Sequence, residues 1–155
     1  MKAFIATFLF LSGSFAFAQN ADEKEFQRMI KNLFQEFFSD LDSTRIDQYL
    51  TNDFILFEDG EVFNNDSVKV IINNLIQQFN NDENKNRKFE RINSFEFLNA
   101  HSDGNSGWIY YRNFAEFKMD GTTIARMHWL ESANFIKTKD GWRIAFLHST
   151  IVKEK

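Results

Sequence analysis

The sequence has no cysteine and no proline, and only three histidines and six glycines among 155 residues. Without cysteine there is no disulfide and no lipid-anchored N-terminal cysteine, so packing alone must hold the fold. His101, His128 and His148 are too scattered for zinc-ligand spacing, and no helix carries His-x-x-x-His. The few glycines form neither a phosphate-cradling loop nor a nucleophile elbow. Clustered Lys and Arg are missing too, and the formal net charge is −4. Nucleic acid is therefore excluded as an expected partner, because phosphate binding needs basic clusters. No metal and no cofactor is expected. The absence of proline carries little functional information.

Long apolar runs are also scarce. The one at Ala3 to Leu11 follows Lys2 and is broken by Ser12-Gly13-Ser14, which is too short to span a bilayer. With Ala16-Phe17-Ala18 as a small-x-small cleavage site, residues 1–18 read as a signal peptide. The alternative is a buried N-terminal helix. On the first reading residues 19–155 form one domain, exported to a periplasm or secreted, soluble and without membrane insertion. About 137 residues are enough for a real core.

What the chain has in abundance is phenylalanine, 20 in all, fifteen of them after residue 18. Such a load builds an aromatic core, or a core plus an apolar cavity. Asp22 and Glu25 have capping-box spacing before an apolar stripe at Phe26, Met29, Ile30, Leu33, Phe34, Phe37, Phe38 and Leu41. Asp42-Ser43-Thr44 caps a short second helix through Ile46, Tyr49 and Leu50. Residues 53–57 and 61–63 read as a hairpin turned by Glu58-Asp59-Gly60. Asn65-Asp66 caps a third helix striped by Val68, Ile71, Ile72, Leu75, Ile76 and Phe79. Residues 80–87 are wholly polar and predict a mobile loop, a candidate rim or lid. Residues 88–99, 108–119, 122–138 and 142–153 then predict an antiparallel meander with turns at Asp103-Gly104, Asp120-Gly121 and Asp140-Gly141. Helices on one face of an antiparallel sheet make an α+β architecture.

The closing segment Asp140-Gly141-Trp142…His148-Ser149-Thr150, together with that element order, resembles the nuclear transport factor 2-like superfamily. It is closest to the SnoaL-like branch and to the association domain of calcium/calmodulin-dependent kinase II. In those proteins a Trp is followed six residues later by His-x-Ser; here Thr150 stands where Ser is usual. The resemblance covers about residues 22–153. It implies a curved antiparallel sheet wrapped around the first long helix, a conical (cystatin-like) cavity, and homodimers formed through the outer faces of the sheets.

Strand alternation assigns residues to that cavity. In the second meander strand the odd set, Ile109 to Met119, is apolar and faces inward. In the last strand the even set, Trp142, Ile144, Phe146 and His148, does so. The strand between them is half apolar on both faces, and its odd face, with Trp129 and Glu131, is taken as inward. A bulge in so long a strand could switch parity midway.

Tyr49, Phe57, Tyr111, Asn113 and Trp129 are then the candidate ligand-binding residues, and Glu131, His148 and Asp53 the candidate catalytic ones. A carboxylate in an aromatic cavity has a raised pKa and can move a proton, and His148 could pair with it. The bland alternatives are a solvated or interfacial Glu131, a His148 that caps the sheet, a turn Asp53, and aromatics that only fill the core. Three functions follow, in order. The first is a binding module for a small, largely apolar or aromatic ligand. The second is a cofactor-independent isomerase, cyclase or dehydratase, and the third a homo-oligomeric assembly domain.

Overall fold

The computed structural model describes residues 8–79 and 86–153, with side chains from residue 21 onward. Helix α1 (Phe8–Leu33) runs into a π-helical turn, Phe34–Ser39, and a 3-10 turn follows at Ile46–Gln48. Strands β1 (Leu50–Glu58) and β2 (Glu61–Asn64) form a hairpin, and α2 (Asn65–Phe79) comes next. Strands β3 (Phe89–Ser102), β4 (Ser106–Met119), β5 (Thr122–Thr138) and β6 (Gly141–Ile151) complete the chain. Apart from its last two residues, the polar segment 80–87 lies outside the described residues, as does the rim or lid suggested for it.

The six strands form one sheet in the order β2-β1-β6-β5-β4-β3. The meander is antiparallel as predicted, but β1 joins it parallel to β6, so the sheet is mixed. The architecture is α+β. Among the described residues, no helix is long and apolar enough to cross a membrane.

Local chemistry explains most boundaries. The Asn64 side chain accepts the Ser67 backbone N–H at 2.9 Å and so caps α2. The Asn65 predicted for that role instead donates to the Thr51 carbonyl at 2.8 Å, tying α2 to β1. In the β1–β2 turn, Asp59 and Gly60 have φ of 48° and 94°, the left-handed pair that suits a tight hairpin. Asp120 and Gly121 repeat the arrangement between β4 and β5.

Asp22 is not a helix cap, because α1 already runs through it. Its carboxylate accepts the Trp142 indole N–H at 3.0 Å and the Ser102 hydroxyl at 2.9 Å, joining α1 to β6 and β3. The predicted first helix also ends sooner than its stripe. Leu41 lies beyond the π-helical turn with φ of 54°.

The core lies between α1 and the inner face of the sheet. Phe26 stacks on Phe135 with ring centres 4.1 Å apart and meets Trp142 edge-on at 4.9 Å. The widened turn at Phe34–Ser39 divides its aromatics between two neighbours. Phe37 packs edge-on against Tyr49, while Phe34 and Phe38 contact each other and line a cavity.

Candidate functional site

On β5 the odd residues Trp129, Glu131, Ala133 and Phe135 are all buried, so Glu131 faces the core and is only 5% exposed. Ser149, opposite it on β6, donates its hydroxyl to Glu131 Oε1 at 2.9 Å. The other carboxyl oxygen has no hydrogen-bond partner among the described residues. Burial pushes the Glu131 pKa up to about 7, against the opposing pull of Ser149, Tyr111 and Arg91. Tyr111 faces Glu131 from β4 and is fully buried. Its hydroxyl lies close enough to feel the carboxyl but is not in hydrogen-bond geometry, so the two are neighbours rather than bonded partners. Burial holds the Tyr111 pKa well above its ordinary value.

Glu131 and Ser149 open into a cavity of about 70 Å³ between the first helical segment, α2 and the sheet. Its walls are apolar: Phe34, Phe38, Phe54, Leu56, Trp129 and Leu147 are the main contributors. Besides Glu131 and Ser149, the polar groups in the lining are Glu58 and Arg91. The Arg91 guanidinium lies 5.0–5.7 Å from the ring centres of Phe38, Phe117, Trp129 and Phe34, a cation–π cage. Burial pulls its pKa down to about 10, opposed by the charges of Glu131 and Glu58, so it stays cationic at neutral pH. Burial also raises the Glu58 pKa, with Asp59 adding to the effect and Arg91 opposing it.

A larger hollow of about 610 Å³ lies on the opposite face of the sheet, among Ile92, Phe114, His128 and Val152. Glu131 is not among the residues that line it. In the smaller cavity, buried polar groups converge in an apolar wall.

The arrangement of this chain is similar to that of several solved structures. A conserved protein from Planctomyces limnophilus superposes with a TM-score of 0.67 at 14% identity, covering 86% of this chain and 98% of that one. A nuclear transport factor 2-like superfamily protein from Salmonella enterica gives 0.63 at 14% identity, over 88% and 94%. A protein of the same description from Cytophaga hutchinsonii gives 0.62 at 8% identity, over 83% and 97%. The chain has the nuclear transport factor 2-like fold. No family model matches the sequence, and neither does any curated protein.

Within this nuclear transport factor 2-like fold, the candidates from the sequence separate into two groups. Trp129 and Glu131 line the cavity, and Tyr111 and Asn113 lie buried beside them on the same face. The other four do not join them. Asp53 and Phe57 share the outward face of β1, and Phe57 is 44% exposed. It is Phe54, Leu56 and Glu58 that point inward, in step with the buried Leu50 at the start of β1.

His148 is exposed and contacts the Thr150 hydroxyl at 3.2 Å, so it forms no pair with Glu131. A bulge on β6 explains the reversal. Phe135 pairs with Ile144 but Asn134 with Phe146, which leaves Ala145 as the extra residue. Trp142 and Ile144 face inward as predicted, whereas beyond the bulge Leu147 and Ser149 take the inner positions. Tyr49 is buried but turned away from the cavity. Its hydroxyl donates to Glu36 at 2.7 Å, and burial followed by that bond pushes its pKa up to about 12.

Arg91, Glu58 and Ser149 were missed. Arg91 had a readable signal, since it alternates with Asn93, Phe95 and Phe97 and is the one charge in an otherwise aromatic and amide set.

Asn113 stands out because it is fully buried while neither its amide nitrogen nor its carbonyl oxygen has a hydrogen-bond partner among the described residues. Such atoms cost stability. Replacing Asn113 with Val removes both and suits a strand. The expected result is a gain of about 1 kcal/mol, seen as a higher midpoint in thermal unfolding. A lowered midpoint would show that Asn113 is hydrogen-bonded in solution.

Proposed function

We propose that the chain is an exported binding protein whose cavity holds a small, largely apolar molecule against Phe34, Phe38 and Trp129. One observation carries this: a buried carboxyl in an aromatic wall, with one oxygen held by Ser149 and the other unpartnered. A ligand that fills the cavity and meets that oxygen satisfies both the apolar wall and the polar atom. The cavity of about 70 Å³ is well below the roughly 300 Å³ lower bound for drug-sized pockets. The ligand is therefore compact, or side chains at the mouth move to admit it. Export rests on the N-terminal pattern of Lys2, an apolar run and Ala16-Phe17-Ala18.

Dimerisation fits the outer face of the sheet, where Tyr110, Phe114, Leu130 and Ile136 are exposed. The test of the binding reading is native mass spectrometry of the protein purified gently from its own source. A dimer with a reproducible added mass, released on denaturation, is the expected spectrum. A bare chain in repeated preparations would count against a resident ligand, and a bare higher-order oligomer would favour the assembly reading.

The second reading is an enzyme of the isomerase, cyclase or dehydratase type. Glu131 favours it specifically, because a carboxyl with a pKa of about 7 can both take and return a proton near neutrality. With Asp53 and His148 on the outside, Glu131 would carry that chemistry without them.

A further inference from the structure

Arg91, with Glu58, is a polar group in the cavity that the binding reading leaves unexplained. Its Nε donates to Asn93 Oδ1 at 3.1 Å, but among the described residues its terminal nitrogens have no acceptor. Glu58 and Glu131 are near enough for their charges to act on it, yet neither forms an ion pair with it. A guanidinium fork under four rings, short of an acceptor, is built for a planar two-oxygen anion. The unpartnered oxygen of Glu131 belongs to the same cavity.

We infer that the ligand's polar end is a carboxylate, accepted by the Arg91 fork and hydrogen-bonded by a protonated Glu131. The inference rests on the binding reading and narrows it to small apolar or aromatic monocarboxylates. The acid's two oxygens take the N–H groups that the protein leaves unused, and its apolar body lies on Phe34, Phe38 and Trp129. Two ionised carboxylates cannot share one hydrogen bond, so Glu131 must keep its proton in the complex.

The titratable groups around this point come from four strands: Glu58 on β1, Arg91 on β3, Tyr111 on β4 and Glu131 on β5. From β6 comes only the Ser149 hydroxyl, and the helical segments contribute the apolar Leu33, Phe34, Phe38 and Val68. Tyr111 stays neutral. A bound anion further disfavours ionisation of both Glu131 and Glu58, so binding takes up protons.

The experiment is isothermal titration calorimetry of the mature protein with isobutyrate, hexanoate and benzoate, each paired with its primary amide, at pH 6 and pH 8. At least one acid is expected to bind, with its amide at least tenfold weaker. Affinity for the acid should fall about tenfold from pH 6 to pH 8, as a group titrating near 7 loses its proton. Arg91→Gln should erase the preference for acid over amide. Glu131→Gln should keep the acid bound at pH 6 and flatten the pH dependence, because the Gln amide still donates a hydrogen bond. Acids and amides that bind alike, or a preference that survives Arg91→Gln, would overturn the carboxylate inference and leave the binding reading standing. Failure of every acid to bind also overturns it. If the native protein carries no added mass as well, the binding reading falls with it.

Discussion

Glu131→Gln is expected to match the wild type in stability near pH 4 and to exceed it by about 3 kcal/mol at pH 8. The Glu131 carboxyl titrates near 4.5 when the chain is unfolded and at about 7 when folded. Between those values the folded state binds more protons than the unfolded one, so rising pH works against folding. The favourable contribution is complete below the unfolded value and is lost as pH climbs through the folded one. Above pH 7 the folded protein must hold an ionised carboxylate in an aromatic wall. Gln keeps the acceptor for Ser149 and never ionises. Denaturant unfolding of both proteins at pH 4, 6 and 8 measures the difference. Parallel stability curves would show that Glu131 is hydrated or paired in solution and that its burial does not raise its pKa. The same variant, assayed for turnover, would separate a proton-moving Glu131 from one that only binds.

The largest loss of stability is expected from Phe26→Ala, about 4 kcal/mol. The ring is fully buried, stacked on Phe135 and edge-on to Trp142, so its removal leaves a cavity between packed rings. Gly107 is its complement. A Cβ there would lie 2.4 Å and 2.5 Å from Phe26 ring carbons and 2.7 Å from the His101 carbonyl oxygen. Gly107→Ala should therefore cost about 3 kcal/mol by overpacking. The double variant is expected to lose less than the sum of the two, because the methyl enters space vacated by the ring. It should still fall short of Phe26→Ala, since the backbone oxygen cannot move away cheaply. Chemical denaturation of the three variants gives the coupling directly. Strict additivity would mean that the ring and the glycine do not share this space.

Strand β5 was legible in the sequence to the residue and helix α2 to within one residue at its cap, because each pattern is bounded on both sides by turn chemistry. The inward face of β4 was legible for the same reason, and alternation placed Tyr111 and Asn113 on it. The face of β5 was not decided by alternation, because both of its faces are half apolar; burial of Trp129, Glu131, Ala133 and Phe135 decides it. The face of β1 was misread because Ile55 and Phe57 make its outer side as apolar as its inner one; the second half of β6 was not legible for a different reason. One residue out of step reverses every assignment beyond it, and nothing about Ala145 announces a bulge. The parallel β1–β6 pairing was hidden as well, since partners distant in sequence leave no local pattern. Arg91 was overlooked because a charge on a strand is ordinarily given to solvent. Only the ring cage that forms once helix and sheet pack together shows what holds it.

The bulge at Ala145 separates two jobs that a regular strand would have to share. Ahead of it, β6 supplies Trp142 to the aromatic stack on α1; beyond it, the same strand supplies Leu147 and Ser149 to the cavity. The stack ties α1 to the sheet, and the cavity is walled apart from it. Substitutions at Leu147 or Ser149 would thus reshape the cavity while leaving the Phe26–Trp142 contact untouched, which makes the far half of β6 the place where the proposed binding can be tested without loosening the fold.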